Sequence, residues 1–251
     1  MPKWFIWTIL EALSRTGTKT LLKAVGSIQT TLDSAVLATI VLGSVQWIAG
    51  FATSKFRHEA LRCGRRNIMG ACVFGAIGYG VTVLSFLIFS YGGDMGVNTF
   101  ITTLAIIPGG IIDARFFKHP LHTRQWGAMA IALIAGYCVL GVPSLQGVLQ
   151  LPLWVWLSLI TMLGMGVNQG VSQWIKDIDP MVKNFWGGGT QVILGLMTLA
   201  AIGGIGVFIQ PHPLVSFWLF SVVIGAINVF LWAFNILSYR YGATIALKKL
   251  I

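Results

Sequence analysis

The sequence predicts an all-α, polytopic bundle of membrane-spanning helices. Hydrophobic residues make up 56% and charged residues 10% of the 251 positions, against roughly a quarter charged in soluble domains. The apolar residues fall in stretches of the ~20 residues that a helix needs to cross a bilayer. The basic residues gather in alternate short connections between those stretches. A mean hydropathy of +0.81 excludes disorder. Three cysteines without paired spacing, Cys63, Cys72 and Cys138, imply neither a disulfide framework nor a metal site.

Eight spans follow in order. Span 1, about Trp4–Val25, is the least apolar. Span 2 is about Ser34–Thr53, span 3 about Ile68–Tyr91 and span 4 about Met95–Phe117. Span 5 is about Gln125–Val142, span 6 about Leu153–Ile175, span 7 about Asn184–Ile209 and span 8 about Leu214–Tyr239. The segment Gly242–Ile251 begins a ninth; as helix it would rise ~15 Å, half of a ~30 Å hydrocarbon core. No cleavable signal peptide is evident, because the first segment runs into charge rather than a small-residue cleavage site.

Orientation follows from charge. The loop after span 2 holds Lys55, Arg57, Arg62, Arg65 and Arg66; the loop after span 4 holds Arg115, Lys118 and Arg124. Lys176 and Lys183 follow span 6, Arg240 follows span 8, and Lys3 precedes span 1. The connections after spans 3, 5 and 7 hold no basic residue, so the N-terminus is expected on the cytoplasmic side of a bacterial inner membrane. Tryptophans 4, 7, 126, 154, 156, 174 and 218 fall near span ends, as an interfacial belt does. The net charge of +10 does not signal nucleic-acid binding, since a hydrophobic span separates each basic cluster from the next. His58, His119 and His122 read as solvated loop histidines.

The chain repeats itself. Phe86-Leu-Ile-Phe-Ser-Tyr91 recurs as Phe234-Asn-Ile-Leu-Ser-Tyr239 at an offset of 148. Ile77-Gly78 matches Ile224-Gly225, and Val41-Leu42-Gly43 matches Ile193-Leu194-Gly195. Spans 2 and 3 thus correspond to spans 7 and 8. A unit with an odd number of spans inserts its second copy upside down, which is a transporter signature with the substrate site between the halves. The expected division is 1–143, a first five-helix repeat, and 144–251, an inverted second repeat. The offset aligns Gly242 with Asp94, leaving the second copy without a counterpart to about Leu104–Val142.

Residues 95–142 carry a pattern. A helix ends in Ile107-Pro108-Gly109-Gly110-Ile111-Ile112-Asp113. A basic loop leads to Pro120-Leu-His-Thr-Arg-Gln-Trp126-Gly127, then Ala130-Ile-Ala-Leu-Ile-Ala-Gly136-Tyr137. This resembles the drug/metabolite transporter superfamily, specifically its EamA-like ten-span proteins, in which helix 4, a Gly-Glu-x-Leu-x-x-x-Gln-Trp-x-Gly loop and helix 5 follow each other in a similar way. Ser14–Lys23 looks like the end of that family's first helix. Two departures stand out: Lys118-His119 precede Pro120 where the family has a Glu, and most of span 9 and all of span 10 are missing. The resemblance implies alternating-access transport, export or uptake, of small metabolites and no particular compound.

Glu11, Arg15, Lys19 and Lys23 stand four apart and form one stripe of span 1. Charge at intramembrane depth faces protein or a water-filled cavity. The stripe lines a central cavity, with Arg15 and Lys19 drawing anionic groups and Glu11 holding Arg15 or a proton, or Glu11–Arg15 is a structural pair with the lysines snorkelling, or span 1 is an interfacial amphipathic helix. Gln46, Trp47, Tyr79, Asn168, Gln169 and Asn228 are further candidate cavity residues. Asp113 reads as the ion-pair partner of nearby Arg115, with a gating or proton role as the alternative. Gly166-x-x-x-Gly170 permits close helix packing; Gly187-Gly188-Gly189 and Gly203-Gly204-Ile205-Gly206 read as close-approach or bending sites in span 7. Pro108, Gly109 and Gly110 are the expected hinge of span 4. Lys248 and Lys249 read as terminal lysines at the cytoplasmic face.

Three function classes are in view. A secondary transporter of a small metabolite, with H⁺ as the expected coupling ion, fits the repeat, the stripe and the resemblance. An enzyme is not expected: no Gly-x-Ser-x-Gly or His-Glu-x-x-His motif is present, and no cofactor is implied. The alternative is a nontransporting membrane subunit, or a truncated fragment completed by a homodimer or a complementing chain.

Overall fold

The computed structural model describes residues 1–28, 31–58, 60–141, 144–204, 206 and 215–245. Every regular element among them is helical: α1 (Lys3–Ile28), α2 (Leu32–Phe56), α3 (Arg65–Ser90), α4 (Met95–Thr103), α5 (Ile106–Phe116), α6 (Thr123–Val139), α7 (Leu145–Leu149), α8 (Leu153–Trp174), α9 (Pro180–Ala201) and α10 (Val215–Arg240). Four segments are long and apolar enough to cross a bilayer: Leu32–Phe56, Arg65–Ser90, Met95–Phe116 and Val215–Arg240. The chain is thus a helical membrane protein. The other predicted spans fall on α1, α6, α8 and α9, which are shorter or more polar.

Two predicted elements differ. Span 7 was expected from Asn184, but α9 starts at Pro180. The Asp179 carboxylate caps it by accepting from Met181 N at 2.7 Å and Val182 N at 3.2 Å, and proline at the first helical position is pre-organised for a helix. Lys183 is therefore inside a helix, not in a loop. At the other end, α9 stops at Ala201, where Gly203 takes φ +70°. The glycines at 203, 204 and 206 follow the helix end rather than bend its interior.

Span 4 is broken into α4 and α5. The break falls at Leu104–Ala105, one turn ahead of the expected hinge. Pro108 occupies the first turn of α5, where a missing N–H leaves no intrahelical bond unmade. The carbonyl of Leu104 accepts from Ile107 N at 2.9 Å, and that of Ala105 from Gly109 N at 3.1 Å. Gly166 and Gly170 of α8 receive this segment: a Cβ on Gly166 would sit 2.6 Å from Pro108 Cγ, and one on Gly170 2.7 Å from Ile112 Cγ2.

Glycines also set the central crossing. A Cβ on Gly188 of α9 would lie 2.8 Å from the carbonyl oxygen of Gly43 of α2, and one on Gly43 3.1 Å from that of Gly188. The two backbones touch directly, which any side chain would prevent. Other contacts come in mates. Gly50 abuts Phe185 across the same crossing as Gly195 abuts Ile40. Gly75 of α3 meets Gly187 of α9, as Gly225 of α10 meets Leu42 of α2. Gly17 of α1 meets Ile227 of α10, as Gly164 of α8 meets Ile77 of α3. In each mate both helices are exchanged: α1 for α8, α2 for α9, α3 for α10.

The same turn closes α3 and α10. Tyr91, Gly92 and Gly93 donate to Leu87, Phe89 and Ile88; Tyr241, Gly242 and Ala243 donate to Leu237, Tyr239 and Ser238. Gly92 and Gly242 take φ +77° and +100°, the left-handed conformation that ends such helices. Gly242 thus corresponds to Gly92, not to Asp94, and Gly43 to Gly188, not to Gly195. Lys248 and Lys249 lie outside the described residues.

One end of the bundle collects the basic loops. Arg240 donates to the carbonyls of Lys176, Asp177 and Ile178, Arg66 reaches Asp177 at 3.8 Å, and the Lys3 ammonium lies 5.7 Å from the Tyr241 ring centroid.

Candidate functional site

Glu11, Arg15 and Lys19 of the charged stripe of α1 face into the bundle, against α10, α8 and α4, whereas Lys23 is exposed. Glu11 is only 4% exposed. Arg15 donates to its Oε1 at 2.8 Å, as expected for residues one turn apart. On α10, Asn235 Nδ2 donates to the same oxygen and to Gln169 Oε1, each at 3.1 Å. Tyr239 donates its hydroxyl proton to Gln169 Oε1 at 2.6 Å. Lys19 Nζ donates to Thr102 Oγ1 at 2.5 Å, tying α1 to the last turn of α4. Structural pairing and cavity lining therefore both describe this stripe, and α1 packs within the bundle rather than lying apart as an amphipathic surface helix.

Asn235 carries a second charge on its other end. Its Oδ1 accepts from Lys183 Nζ at 3.2 Å. Lys183 is 0% exposed. Its ammonium sits 3.5 Å from the centroid of the Phe74 ring and 5.8 Å from that of Trp232, with Ser172 Oγ at 3.4 Å. Aromatic faces and a carboxamide thus replace water around a buried cation. The basic-loop reading of Lys183 is corrected here.

Two adjoining cavity lobes open on this cluster and share Arg15, Lys19, Met165 and Gln169. The smaller, ≈ 110 Å³, has Phe74, Trp232, Asn168 and Asn228 in its wall. The larger, ≈ 220 Å³, has Glu11, Thr8, Thr99 and Thr102. Asn228 Oδ1 accepts from Thr18 Oγ1 at 3.2 Å.

The structure therefore brings together Glu11, Arg15, Lys19, Asn168, Gln169 and Asn228. It places three candidates elsewhere. Gln46 is buried at the α2–α9 crossing, where neither amide atom has a hydrogen-bond partner. Trp47 is 43% exposed and borders a separate apolar recess with Phe185 and Trp186. Tyr79 donates to Thr198 Oγ1 at 2.7 Å, between α3 and α9.

A second polar cluster lies toward the basic end. Asp113 is 0% exposed; His119 Nδ1 lies 2.8 Å from its Oδ1, which also accepts from Gln173 Nε2 at 3.2 Å. Arg115, the expected partner, is exposed. Two residues along a helix place side chains on nearly opposite faces. His119 returns because Lys118 takes φ +57° and turns the chain back. Among the described residues no group of three or more His, Cys, Asp or Glu is arranged to hold a metal ion.

The sequence reading did not single out Lys183, Tyr239, Thr102 or the Asp113–His119–Gln173 cluster as a site. For Lys183 the signal was present, in the Asp179-Pro180 helix start. No family model matches the chain, and a search of curated proteins finds no match.

Proposed function

We propose that this chain is a secondary transporter of a small metabolite, an exporter of the EamA-like class that it resembles, working by alternating access through the central cavity. One observation carries this reading: a charged, polar cavity lies inside an apolar bundle whose helix contacts come in exchanged pairs. Those pairs support the division at 1–143 and 144–251 into inverted repeats, with the substrate site between them. The broken α4–α5 helix, seated on Gly166 and Gly170, supports a moving element beside the cavity.

The basic end is assigned to the cytoplasm of a bacterial inner membrane, and H⁺ is the coupling ion. Polar side chains lead from that end toward Glu11: His119, Asp113 and Gln173, then Gln169 one turn earlier on α8, then Asn235. Glu11 carries the proton in this reading.

The test is flux of a labelled metabolite panel in proteoliposomes under an imposed pH gradient. Wild-type flux rises with the gradient. Glu11→Gln loses that response while still exchanging substrate across the membrane at equal pH. Absence of flux across the whole panel overturns the reading.

A further inference from the structure

Charge balance in the cavity is uneven. Among the described residues, Arg15 and Lys19 border both lobes, whereas Glu11 is the only carboxylate that borders either. Oε1 of Glu11 is already engaged by Arg15 and Asn235. Lys19 makes no ion pair among the described residues, and its one partner is a neutral hydroxyl. An ammonium has three donors, so two remain to face the cavity. Lys183 adds a third positive charge close behind the wall, on the Phe74 ring. With Asn228 Oδ1 occupied by Thr18, the amide nitrogen is the end left to meet a ligand. Beside these donors the smaller lobe is walled by Phe74, Trp232, Leu22 and Leu231.

We propose that the cavity binds a small organic anion, its carboxylate or phosphate group held between Arg15 and Lys19 and its apolar part lying against Phe74 and Trp232. This deepens the transport reading and rests on it for the word substrate, but binding itself is independent of flux. An anion offsets the excess positive charge at low dielectric, where unpaired charge is costly. Charge-assisted hydrogen bonds from a guanidinium and an ammonium supply the orientation. Together the two lobes, ≈ 110 and ≈ 220 Å³, suit a small metabolite.

The experiment uses the full chain purified in detergent and three isosteres of different charge: phenylacetate, phenylacetamide and phenethylamine. Phenylacetate, or failing it succinate or phenyl phosphate, is expected to raise the melting temperature saturably, while the neutral and cationic isosteres leave it unchanged. Lys19→Met is expected to weaken anion binding at least tenfold, and Lys19→Arg to retain it. The charge series on the wild-type protein needs no variant to fold. Equal binding of the amide or the amine, undiminished anion binding by Lys19→Met, or no binding of all three anions overturns the proposal. Anion binding without flux in proteoliposomes keeps this proposal and removes the transport reading; flux of the amine without anion binding does the reverse.

Discussion

The Asn235 carboxamide joins two charges of opposite sign, with its nitrogen on Glu11 and its oxygen on Lys183. Asn235→Leu strips both charges of that partner and is expected to destabilise the fold by about 3–5 kcal/mol, the range for breaking a buried charged network. Lys183→Met removes the charge and keeps the length, so its effect stays within about 2 kcal/mol of zero. The double variant should then cost less than the sum, because leucine no longer faces a bare ammonium. Chemical denaturation in detergent measures all three, and additivity refutes the coupling. Legibility at this scale followed helical geometry. Glu11, Arg15 and Lys19 stand one turn apart, so their common face was plain. Gln46 and Trp47 are adjacent, but neighbours on a helix point about 100° apart, and here Gln46 turns into the α2–α9 crossing while Trp47 borders a separate apolar recess. The Asp113–His119 contact crosses a loop whose turn depends on the left-handed backbone of Lys118, which no side-chain periodicity announces.

At the scale of the helix, glycine position decides tolerance. A Cβ on Gly50 would fall 2.5 Å from Phe185 N and 2.6 Å from Met181 O, whereas one on Gly80 meets nothing within 4 Å. Gly50→Ala forces two backbones apart and is expected to cost about 1–3 kcal/mol, a melting-temperature loss of several degrees. Gly80→Ala should lie within about 0.5 kcal/mol of wild type. Equal melting temperatures for the two would show that the α2–α9 crossing yields easily. The sequence marked this element class well, because Gly-x-x-x-Gly and glycine triplets state close approach without naming the partner. It placed the α4–α5 break one turn late, since proline is tolerated in a first helical turn and so signals a nearby break rather than its exact residue. It placed the start of α9 four residues late by following hydropathy past an Asp-Pro cap.

For the molecule as a whole, the sidedness of the loops is open to direct measurement. Cys63 lies in the basic connection between α2 and α3, and partial burial pushes its thiol up. In a Cys72→Ser, Cys138→Ser background, a membrane-impermeant maleimide should label inside-out vesicles and spare right-side-out ones. Labelling should be slow at neutral pH and quicken as pH rises, because the raised thiol yields thiolate only in more alkaline solution. Labelling of right-side-out vesicles refutes the assigned orientation. The matching motifs follow the same order as the contact mates, but in a different register: Gly43 and Gly50, like Gly188 and Gly195, stand seven apart, so short motifs slip by two turns without losing glycine matches. One contact, Gly43 with Gly188, is its own mate. A contact unchanged when the halves are exchanged lies on the axis of that exchange. In a rocking cycle it is a fulcrum: a cross-link there leaves both end states reachable. In the proposed transport cycle, one joining Gly17 to Ile227 is expected to arrest one phase, and its mate from Gly164 to Ile77 the opposite phase.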